Sequence, residues 1–279
     1  MFNLLTLVSV AFSIFNPTVK LNSGKQLSLV GSGPPVVFSS GLFGTMPREL
    51  YGEFISNLKK NVTILSINNV EPISKKDITD IADSIGVDSV SYISHSSFNP
   101  EVLESDRINK AILIDPICLP KLNIDGINSV DITAVDINVD YPIKIFKAEK
   151  LYTAETSLPI WQNPTINGVV VDEIISGVGH PDILDDLWAD VAKKLGLWKT
   201  AEGEVVAFKD WKFKKSMNNI KNMRKQYRDY ISQKCLNFIN TNINDVEVTT
   251  FTDHKELEVE LSKKDVPYSS QLDEDISSN

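Results

Sequence analysis

The sequence predicts an α/β protein whose mostly parallel central sheet is flanked by helices. Strand and helix patterns alternate from about residue 20 to residue 199. Several strand segments, such as residues 36–38 and 111–114, are apolar at consecutive positions. That pattern is typical of a central parallel strand covered by helices on both faces. Because ligands in such sheets bind at the carboxyl ends of strands, the loops that follow the strands are the places to search for a site.

The predicted elements follow one another in a regular order. Short apolar runs that predict strands lie at residues 26–30, 36–39, 62–67, 89–93, 110–114, 142–146 and 169–175. Helical stripes of apolar residues cover residues 48–59, 77–85 and 183–195. Gly86 and Gly196 are placed to end the second and third of these helices. Residues 117–140 have no strong helix pattern and predict an irregular excursion over the sheet.

Composition restricts the class of protein. The chain has 279 residues, of which 42% are hydrophobic and 23% charged, as in a soluble globular protein with a sizeable core. Its net charge of −9 argues against nucleic acid as the main partner. The two cysteines, Cys118 and Cys235, are far apart and predict neither a disulfide scaffold nor a metal cluster. A reducing compartment, the cytoplasm, is the simpler interpretation.

The distribution of apolar and charged residues divides the chain into three parts: an α/β domain of residues 1–199, an extension of residues 200–262 and an acidic tail of residues 263–279. We expect the tail to be disordered. Residues 1–15 are apolar and uncharged. We interpret them as a buried first strand or helix, with a weak membrane anchor as the alternative.

The extension contains a predicted basic amphipathic helix at residues 214–231. Its basic residues lie largely away from the apolar face: Lys221, Arg224, Lys225 and Arg228. We expect the helix to pack on the domain with this basic face in solvent. The alternative is that the basic face binds an acidic partner or a membrane surface weakly.

The first loop of chemical interest is residues 40–44, which follow the strand at 36–39. Its glycines, Gly41 and Gly44, let the backbone turn sharply and direct N–H groups into a cleft. The Leu42 N–H is the predicted donor of an oxyanion hole. An ordinary strand-to-helix turn is the alternative.

The second loop, residues 94–98, follows the strand at 89–93 and contains the candidate nucleophile Ser96. A nucleophilic serine must lie on a tight turn, which requires small residues two positions before and two after it. Ser94 meets this requirement and Phe98 does not. A serine-rich turn without a catalytic role is the alternative. His95 is predicted to point back into the protein.

An acid and a histidine complete the set of candidates. Asp115 ends the apolar strand at 110–114, where a carboxylate can orient an imidazole, and Glu149 is the rival acid after the strand at 142–146. His180 lies between a strand and a helix on a glycine-flanked loop, and it is one of only three histidines. Asp182 is predicted to cap the helix that follows.

Serine, acid and histidine thus occur in that chain order, each just after a strand, which is the order used by α/β-hydrolases. Over residues 20–199 the chain resembles this family. The resemblance is carried by residues 21–37, by the helix and strand before Ser96, and by residues 114–116 and 179–186. The last two motifs are most similar to the chlorophyllase and lipase-like branch, which implies Asp115 as the acid. The chain departs from the family pattern at Ser40, where His is usual, and at Phe98, where Gly is usual.

The resemblance implies a serine hydrolase that cleaves a carboxylic ester, such as a bulky or lipid-like one. In this hypothesis Ser96 is the nucleophile, His180 the base and Asp115 the orienting acid. The backbone N–H groups of Leu42 and Ser97 stabilise the oxyanion. No metal or organic cofactor is required. The alternative is a catalytically inactive protein of the same fold that binds a ligand or partner, and Phe98 is the residue that favours it.

Overall fold

The computed structural model describes residues 18–41, 46–68, 73–117, 136–150, 165–167, 170–194 and 217–242. Within these ranges, eight strands form one sheet: β1 (Thr18–Lys20), β2 (Gln26–Gly31), β3 (Pro35–Ser39), β4 (Thr63–Asn68), β5 (Val90–Ser97), β6 (Ile108–Ile117), β8 (Ile143–Lys150) and β10 (Val170–Gly179). All seven predicted strands are confirmed, each to within a few residues at its ends. β1 was not predicted.

The strand order is β1-β2-β4-β3-β5-β6-β8-β10. β1 pairs with β2, and β2 with β4, in antiparallel fashion. The remaining neighbours are parallel. The mostly parallel sheet predicted from the sequence is therefore confirmed. Its carboxyl edge brings together the ends of β3, β5, β6 and β10, and these are the strands that precede the four candidate loops.

Helices cover the sheet where the apolar stripes predicted them. A 3-10 helix (Arg48–Tyr51) leads into α1 (Gly52–Leu58), and α2 spans Lys75–Ile85. A second 3-10 helix (His180–Ile183) precedes α3 (Asp186–Lys194), and α4 spans Met217–Asn240. Gly86 ends α2 as predicted, in the left-handed conformation (φ 72°) that glycine adopts without steric cost.

The sheet has a hydrophobic core on each face. One core contains Val37, Leu65 and the α2 residues Ile78 and Ile81. The opposite core contains, among others, Val36, Phe38, Phe54 of α1 and Ile231 of α4. Consecutive residues of β3 therefore enter opposite cores, because side chains alternate across a strand. This alternation explains why Val36, Val37 and Phe38 are all apolar.

A second, two-stranded parallel sheet pairs β7 (Asp136–Asn138) with β9 (Thr165–Asn167). β7 lies within the segment predicted to be irregular, so that prediction was wrong for these three residues. Asp and Asn are depleted in strands, and the pairing joins distant parts of the chain, so no local pattern indicated it. Residues 118–135 of the excursion lie outside the described residues.

α4 belongs to the predicted extension, yet it shares a core with the α/β domain. Tyr227, Ile231, Cys235 and Ile239 all enter the second core cluster. The predicted solvent-exposed basic face was wrong for two of its members, because Arg224 is only 1% exposed and Arg228 only 2%. Carboxylates on the domain surround both guanidinium groups, which the helical pattern of α4 alone does not indicate.

Residues 1–15 and the tail 263–279 lie outside the described residues. None of the helices in the described ranges has the length and apolar character needed to cross a membrane.

Candidate active site

Ser96 and Asp115 share an uncommon backbone conformation at the carboxyl edge of the sheet. Their φ angles are +65° and +48°, and they are the non-glycine residues with positive φ in the described part of the chain. Such a conformation is strained for an L-amino acid with a side chain, and it is found preferentially at functional sites. Ser96 lies near the end of β5 and Asp115 near the end of β6, so β5 continues through most of the segment that was predicted to be a loop. The pairing of the two strands is irregular between His95 and Ser97.

The Ser96 hydroxyl meets His180 across the edge of the sheet. His180 Nε2 lies 3.0 Å from Ser96 Oγ, and both side chains are buried. This is the distance at which a base can remove the proton of a nucleophile. The two residues are 84 positions apart in the chain and meet because β5 and β10 end at the same edge.

Asp115 lies on the other side of the His180 ring. Its Oδ2 is 3.5 Å from His180 Nδ1. Its Oδ1 accepts the backbone N–H of Ala148 in β8. Contacts of this kind are often long without substrate and tighten in the complex. The structure therefore places Asp115 beside His180, whereas the side chain of the rival acid Glu149 lies outside the described residues.

Burial shapes the electrostatics of this group. It lowers the pKa of His180 to about 3, so the imidazole is neutral at pH 7. It raises the pKa of Asp115 to about 6, so the carboxylate is ionised at pH 7 but becomes protonated on mild acidification. With Asp115 ionised, the proton of the neutral His180 ring belongs on Nδ1. That leaves Nε2 free to accept the proton of Ser96.

His95 holds the backbone on two sides of the site. Its Nε2 lies 3.2 Å from the carbonyl oxygen of His180, so Nε2 carries the proton and donates it. Its Nδ1 accepts from the hydroxyl of Tyr51 at 2.8 Å, and that hydroxyl accepts the N–H of Gly41 at 2.8 Å. The rings of His95 and His180 are stacked with centroids 4.6 Å apart. His95 points inward as predicted and connects the Gly41 loop with the His180 loop.

The predicted oxyanion donors are described only in part. Leu42 lies outside the described residues, and Ser97 continues β5 opposite Ile117 of β6. The preceding residue, Gly41, packs so closely that a Cβ built on it would lie 2.8 Å from Met46 Sδ and 3.6 Å from Ser96 Cβ. A side chain at this position would require Met46 to shift, and it would also crowd the Tyr51 hydroxyl at 3.1 Å. The loop predicted to carry the oxyanion hole thus starts beside Ser96.

Phe98, which departs from the family pattern, is a core residue. It is fully buried in the same cluster as Tyr92, Val102 and Leu103. The chain then enters a short 3-10 helix, Pro100–Glu104, which Asn99 caps by accepting the N–H of Glu101 at 3.2 Å. Because no long α-helix begins next to the turn, a small residue at position 98 is not needed for close helix packing. Ser96 adopts its left-handed conformation with Phe98 in place.

Two contributions to the site were missed by sequence reasoning. Tyr51 lies in a predicted helix, and its sequence context gives no sign that it contacts His95. Arg224 donates from α4 to Asp182 Oδ1 at 2.9 Å, although its basic helical pattern indicated solvent exposure. Asp182 lies in the 3-10 helix His180–Ile183, where it accepts the N–H of Gly179 at 2.7 Å. This contact is at the turn that carries His180 and not at the start of α3, where the cap was predicted.

The buried group has a composition that could also hold a metal ion. Potential ligand atoms of His95, Asp115 and His180 lie within 4.8 Å of one another. In this arrangement, however, both His95 nitrogens make hydrogen bonds, and His180 Nε2 faces Ser96. A metal bound to both rings would have to displace at least one of the two His95 hydrogen bonds. The observed arrangement is therefore better suited to proton transfer than to metal binding.

Comparison with known proteins gives distant structural likenesses. The sequence matches no family model and no curated protein. Among solved structures, novel epoxide hydrolases of the α/β-hydrolase superfamily from hot-environment metagenomes are 10% identical (TM-score 0.42), with 64% of this chain and 96% of that chain covered.

Two further solved structures give matches over shorter segments. An α/β hydrolase from Sphaerobacter thermophilus is 21% identical (TM-score 0.28), with 36% of this chain and 45% of that chain covered. A hydrolase from Pseudomonas aeruginosa is 15% identical (TM-score 0.30), with 38% of this chain and 47% of that chain covered. This chain therefore spans less than half the length of these two proteins. The sheet described above is the mostly parallel sheet, flanked by helices, that the sequence predicted.

Proposed function

We propose that the protein is a serine hydrolase that cleaves carboxylic esters through Ser96, His180 and Asp115. The observation that carries this proposal is the contact between Ser96 Oγ and His180 Nε2 at 3.0 Å, with the backbone of Ser96 in the left-handed conformation. A buried carboxylate on the far side of the same ring supports it. A hydroxyl, an imidazole and a carboxylate that follow one another in space in this order form the arrangement that activates a serine.

The reaction proceeds in two halves. Ser96 Oγ attacks the ester carbonyl carbon while its proton passes to His180 Nε2, and a tetrahedral oxyanion forms. The oxyanion collapses, the bond to the alkoxide breaks, and the alkoxide leaves with the proton from His180. A water molecule then attacks the acyl-serine, with His180 again as base, and releases the carboxylic acid and free Ser96. Asp115 stabilises the imidazolium formed in each half.

The oxyanion requires N–H donors, and we assign them to the backbone of Leu42 and Ser97. The packing of Gly41 against Ser96 supports this assignment, because the next residue along the loop is Leu42. In known enzymes each such donor contributes about 3 kcal/mol to transition-state stabilisation. The hydrogen bond from Gly41 to Tyr51 fixes the start of the loop before substrate binds.

The substrate belongs to the class of small-molecule or lipid-like carboxylic esters, as the resemblance to the chlorophyllase and lipase-like branch implies. Phe98 does not line a cleft, because it is fully buried in the core. Its burial also weakens the inactive-protein alternative, since Phe98 was the residue that favoured it. Membrane attraction through α4 loses two of its four basic groups, because Arg224 and Arg228 are buried.

Labelling with a fluorophosphonate probe tests the proposal. The probe forms a covalent bond only with an activated serine, so wild type should be labelled and both Ser96→Ala and His180→Ala should not. Ser84→Ala is the matched control, because its hydroxyl donates to the Ile81 carbonyl within α2. Folded wild-type protein that resists labelling would overturn the proposal and favour a ligand-binding role. Once labelling is established, a series of esters of increasing chain length identifies the substrate class.

A further inference from the structure

We propose that α4 is a working part of the active site, in which Arg224 is a positioning residue that holds the His180 loop through Asp182. This inference rests on the proposed serine hydrolase function. It assigns a role to a helix that lies outside the segment resembling the family.

The central contact is a buried ion pair. Arg224 Nε donates to Asp182 Oδ1 at 2.9 Å, with the two side chains 1% and 0% exposed. The other carboxylate oxygen of Asp182 accepts the backbone N–H of Gly179 at 2.7 Å. Gly179 directly precedes His180. Asp182 therefore transmits the position of α4 to the residue that presents the imidazole.

Further contacts from α4 reach both sides of the same loop. Arg224 Nη1 donates to Asp190 Oδ1 at 2.8 Å. Arg228 Nη1 donates to the carbonyl oxygen of Leu184 at 2.9 Å, and its Nη2 donates to Asp186 Oδ1 at 3.1 Å. Two arginines one helical turn apart thus hold the chain from just before His180 to the middle of α3.

α4 also approaches the acid of the site. The Tyr227 hydroxyl is buried and makes no hydrogen bond within the described part of the chain. Burial, reinforced by the negative charges of Asp115 and Asp182, raises the pKa of Tyr227 well above its ordinary value. Tyr227 packs in the core that also contains Ile114 and Ile183, the sequence neighbours of Asp115 and Asp182.

The far end of α4 is tied to the strand that carries Asp115. Lys110 of β6 donates from Nζ to the carbonyl oxygens of Phe238 at 2.8 Å and Ile239 at 2.9 Å. The helix is thus anchored at one end to the His180 loop and at the other to β6. A shift of α4 would alter the relation between His180 and Asp115.

A buried ion pair is a costly way to attach a helix. Removing two charges from water costs several kcal/mol, and apolar residues of similar size often stabilise a protein as well or better. Well-placed ionic hydrogen bonds do, however, restrict geometry, and they fix the direction from which Arg224 approaches Asp182. Geometry is what a catalytic imidazole requires, because a displacement of about 1 Å can lower a rate about 100-fold.

The proposal makes a prediction about the charge around His180. The imidazole is faced by Ser96 and His95 from β5 and by Asp115 from β6, and Asp182 follows on its own loop. Arg224 and Tyr227 approach from α4. Replacing Arg224 by Met leaves the Asp182 carboxylate without its cation, which favours the imidazolium form of His180 and frees the loop to move.

The test uses the whole 279-residue chain with the variants Arg224→Met, Arg224→Lys and Arg224→Met/Asp182→Asn. Lys225→Met is the matched control, because Lys225 lies next along α4 and pairs with Asp229 at the surface. Two quantities are measured from pH 9 down to about pH 2.5, because the pKa of His180 in the wild type is about 3. One is the second-order rate constant of fluorophosphonate labelling, and the other is the His180 titration followed by NMR on histidine-labelled protein. With three histidines in the chain, His180→Ala assigns the signal.

We expect Arg224→Met to label about 10- to 100-fold more slowly and its His180 titration to move to higher pH. Arg224→Met/Asp182→Asn also removes the unpaired carboxylate, so it should return the pKa of His180 towards the wild-type value. Arg224→Lys keeps the positive charge but not the planar guanidinium with its several N–H donors. We therefore expect an unchanged pKa of His180 and a slower labelling reaction. Lys225→Met should match wild type in both.

A helix with only a structural role gives a different pattern. Arg224→Met that folds and keeps the wild-type labelling rate and the wild-type pKa of His180 would overturn the proposal. So would a labelling rate that falls only in proportion to the fraction of folded protein, with the pKa of His180 unchanged. If Arg224→Met does not fold, Arg224→Lys with a wild-type rate would overturn it. If the wild type is not labelled, the proposed function fails. An increase in the pKa of His180 in Arg224→Met would still support the role of α4. An unchanged pKa would contradict it.

Discussion

At the scale of single residues, the site depends on which carboxylate serves His180. Asp115→Asn removes the charge that stabilises the imidazolium and favours the wrong ring tautomer. We expect it to slow fluorophosphonate labelling about 10³- to 10⁴-fold. Glu149→Gln is the matched variant at the rival acid, and it should label at the wild-type rate. The reverse result, with labelling lost in Glu149→Gln and kept in Asp115→Asn, would assign the acid to Glu149.

Phe98 permits a second prediction at this scale. Phe98→Gly restores the small residue usual in the family, but it removes a fully buried ring from the core. We expect Phe98→Ala to lower the free energy of unfolding by about 3–5 kcal/mol in urea denaturation, and Phe98→Gly to lower it at least as much. Leu187→Ala, at a side chain that is 67% exposed, is the control and should change stability little. A stabilised Phe98→Gly would show that position 98 is under strain instead.

At the scale of elements, the sheet and its helices follow from local patterns, whereas the attachment of α4 does not. Lys110 supplies donors to carbonyls at the carboxyl end of α4, where a helix leaves such groups without intrahelical partners. Lys110→Met keeps most of the aliphatic stem and removes the donors. We expect it to lower the free energy of unfolding by about 1–3 kcal/mol, because buried carbonyls lose their partner.

The same variant should have a local signature. Amide hydrogen exchange at the end of α4, around residues 238–242, should be faster in Lys110→Met than in wild type. Lys76→Met, at a lysine whose side chain is 72% exposed, is the control and should leave this exchange unchanged. Equal exchange in Lys110→Met and wild type would contradict a capping role for Lys110.

At the scale of the whole molecule, the buried site links stability to pH. Burial lowers the pKa of both His95 and His180 from 6.5 to about 3, so between these values the unfolded chain binds two more protons than the folded one. Asp115 acts in the opposite sense, because its pKa rises from 3.8 to about 6 and the folded state binds one more proton. The net difference is one proton in favour of the unfolded chain. These three groups should therefore lower the free energy of unfolding by about 1 kcal/mol for each pH unit between pH 6 and pH 4.

Urea denaturation at a series of pH values measures this linkage. His95→Gln removes one of the two histidines, so its loss of stability on acidification should be shallower than that of wild type by about 1 kcal/mol per pH unit. The difference between the two proteins reports His95 together with its charge interactions with Asp115 and His180. Parallel curves would show that His95 is not kept neutral by the fold.

The sequence by itself determined the α/β class, the positions of seven strands, and that a serine, an acid and a histidine lie at the ends of three of them. These features depend on hydrophobic period and on turn residues, which are local properties of the chain. The strand ends also indicated that the three side chains lie at one edge, because parallel strands end on the same side of a sheet.

The tertiary structure decided the rest. It placed Asp115 beside His180, connected His95 to Tyr51 and buried Arg224 against Asp182. Each of these depends on a partner from a distant part of the chain: Tyr51 and His95 are 44 positions apart, and Arg224 and Asp182 are 42. A helical pattern shows where a basic residue lies around the helix, but not whether a buried carboxylate faces it. Long-range packing determines whether such a carboxylate is present. Here it buries Arg224 and Arg228, which were predicted to face solvent, against the carboxylates around the His180 loop.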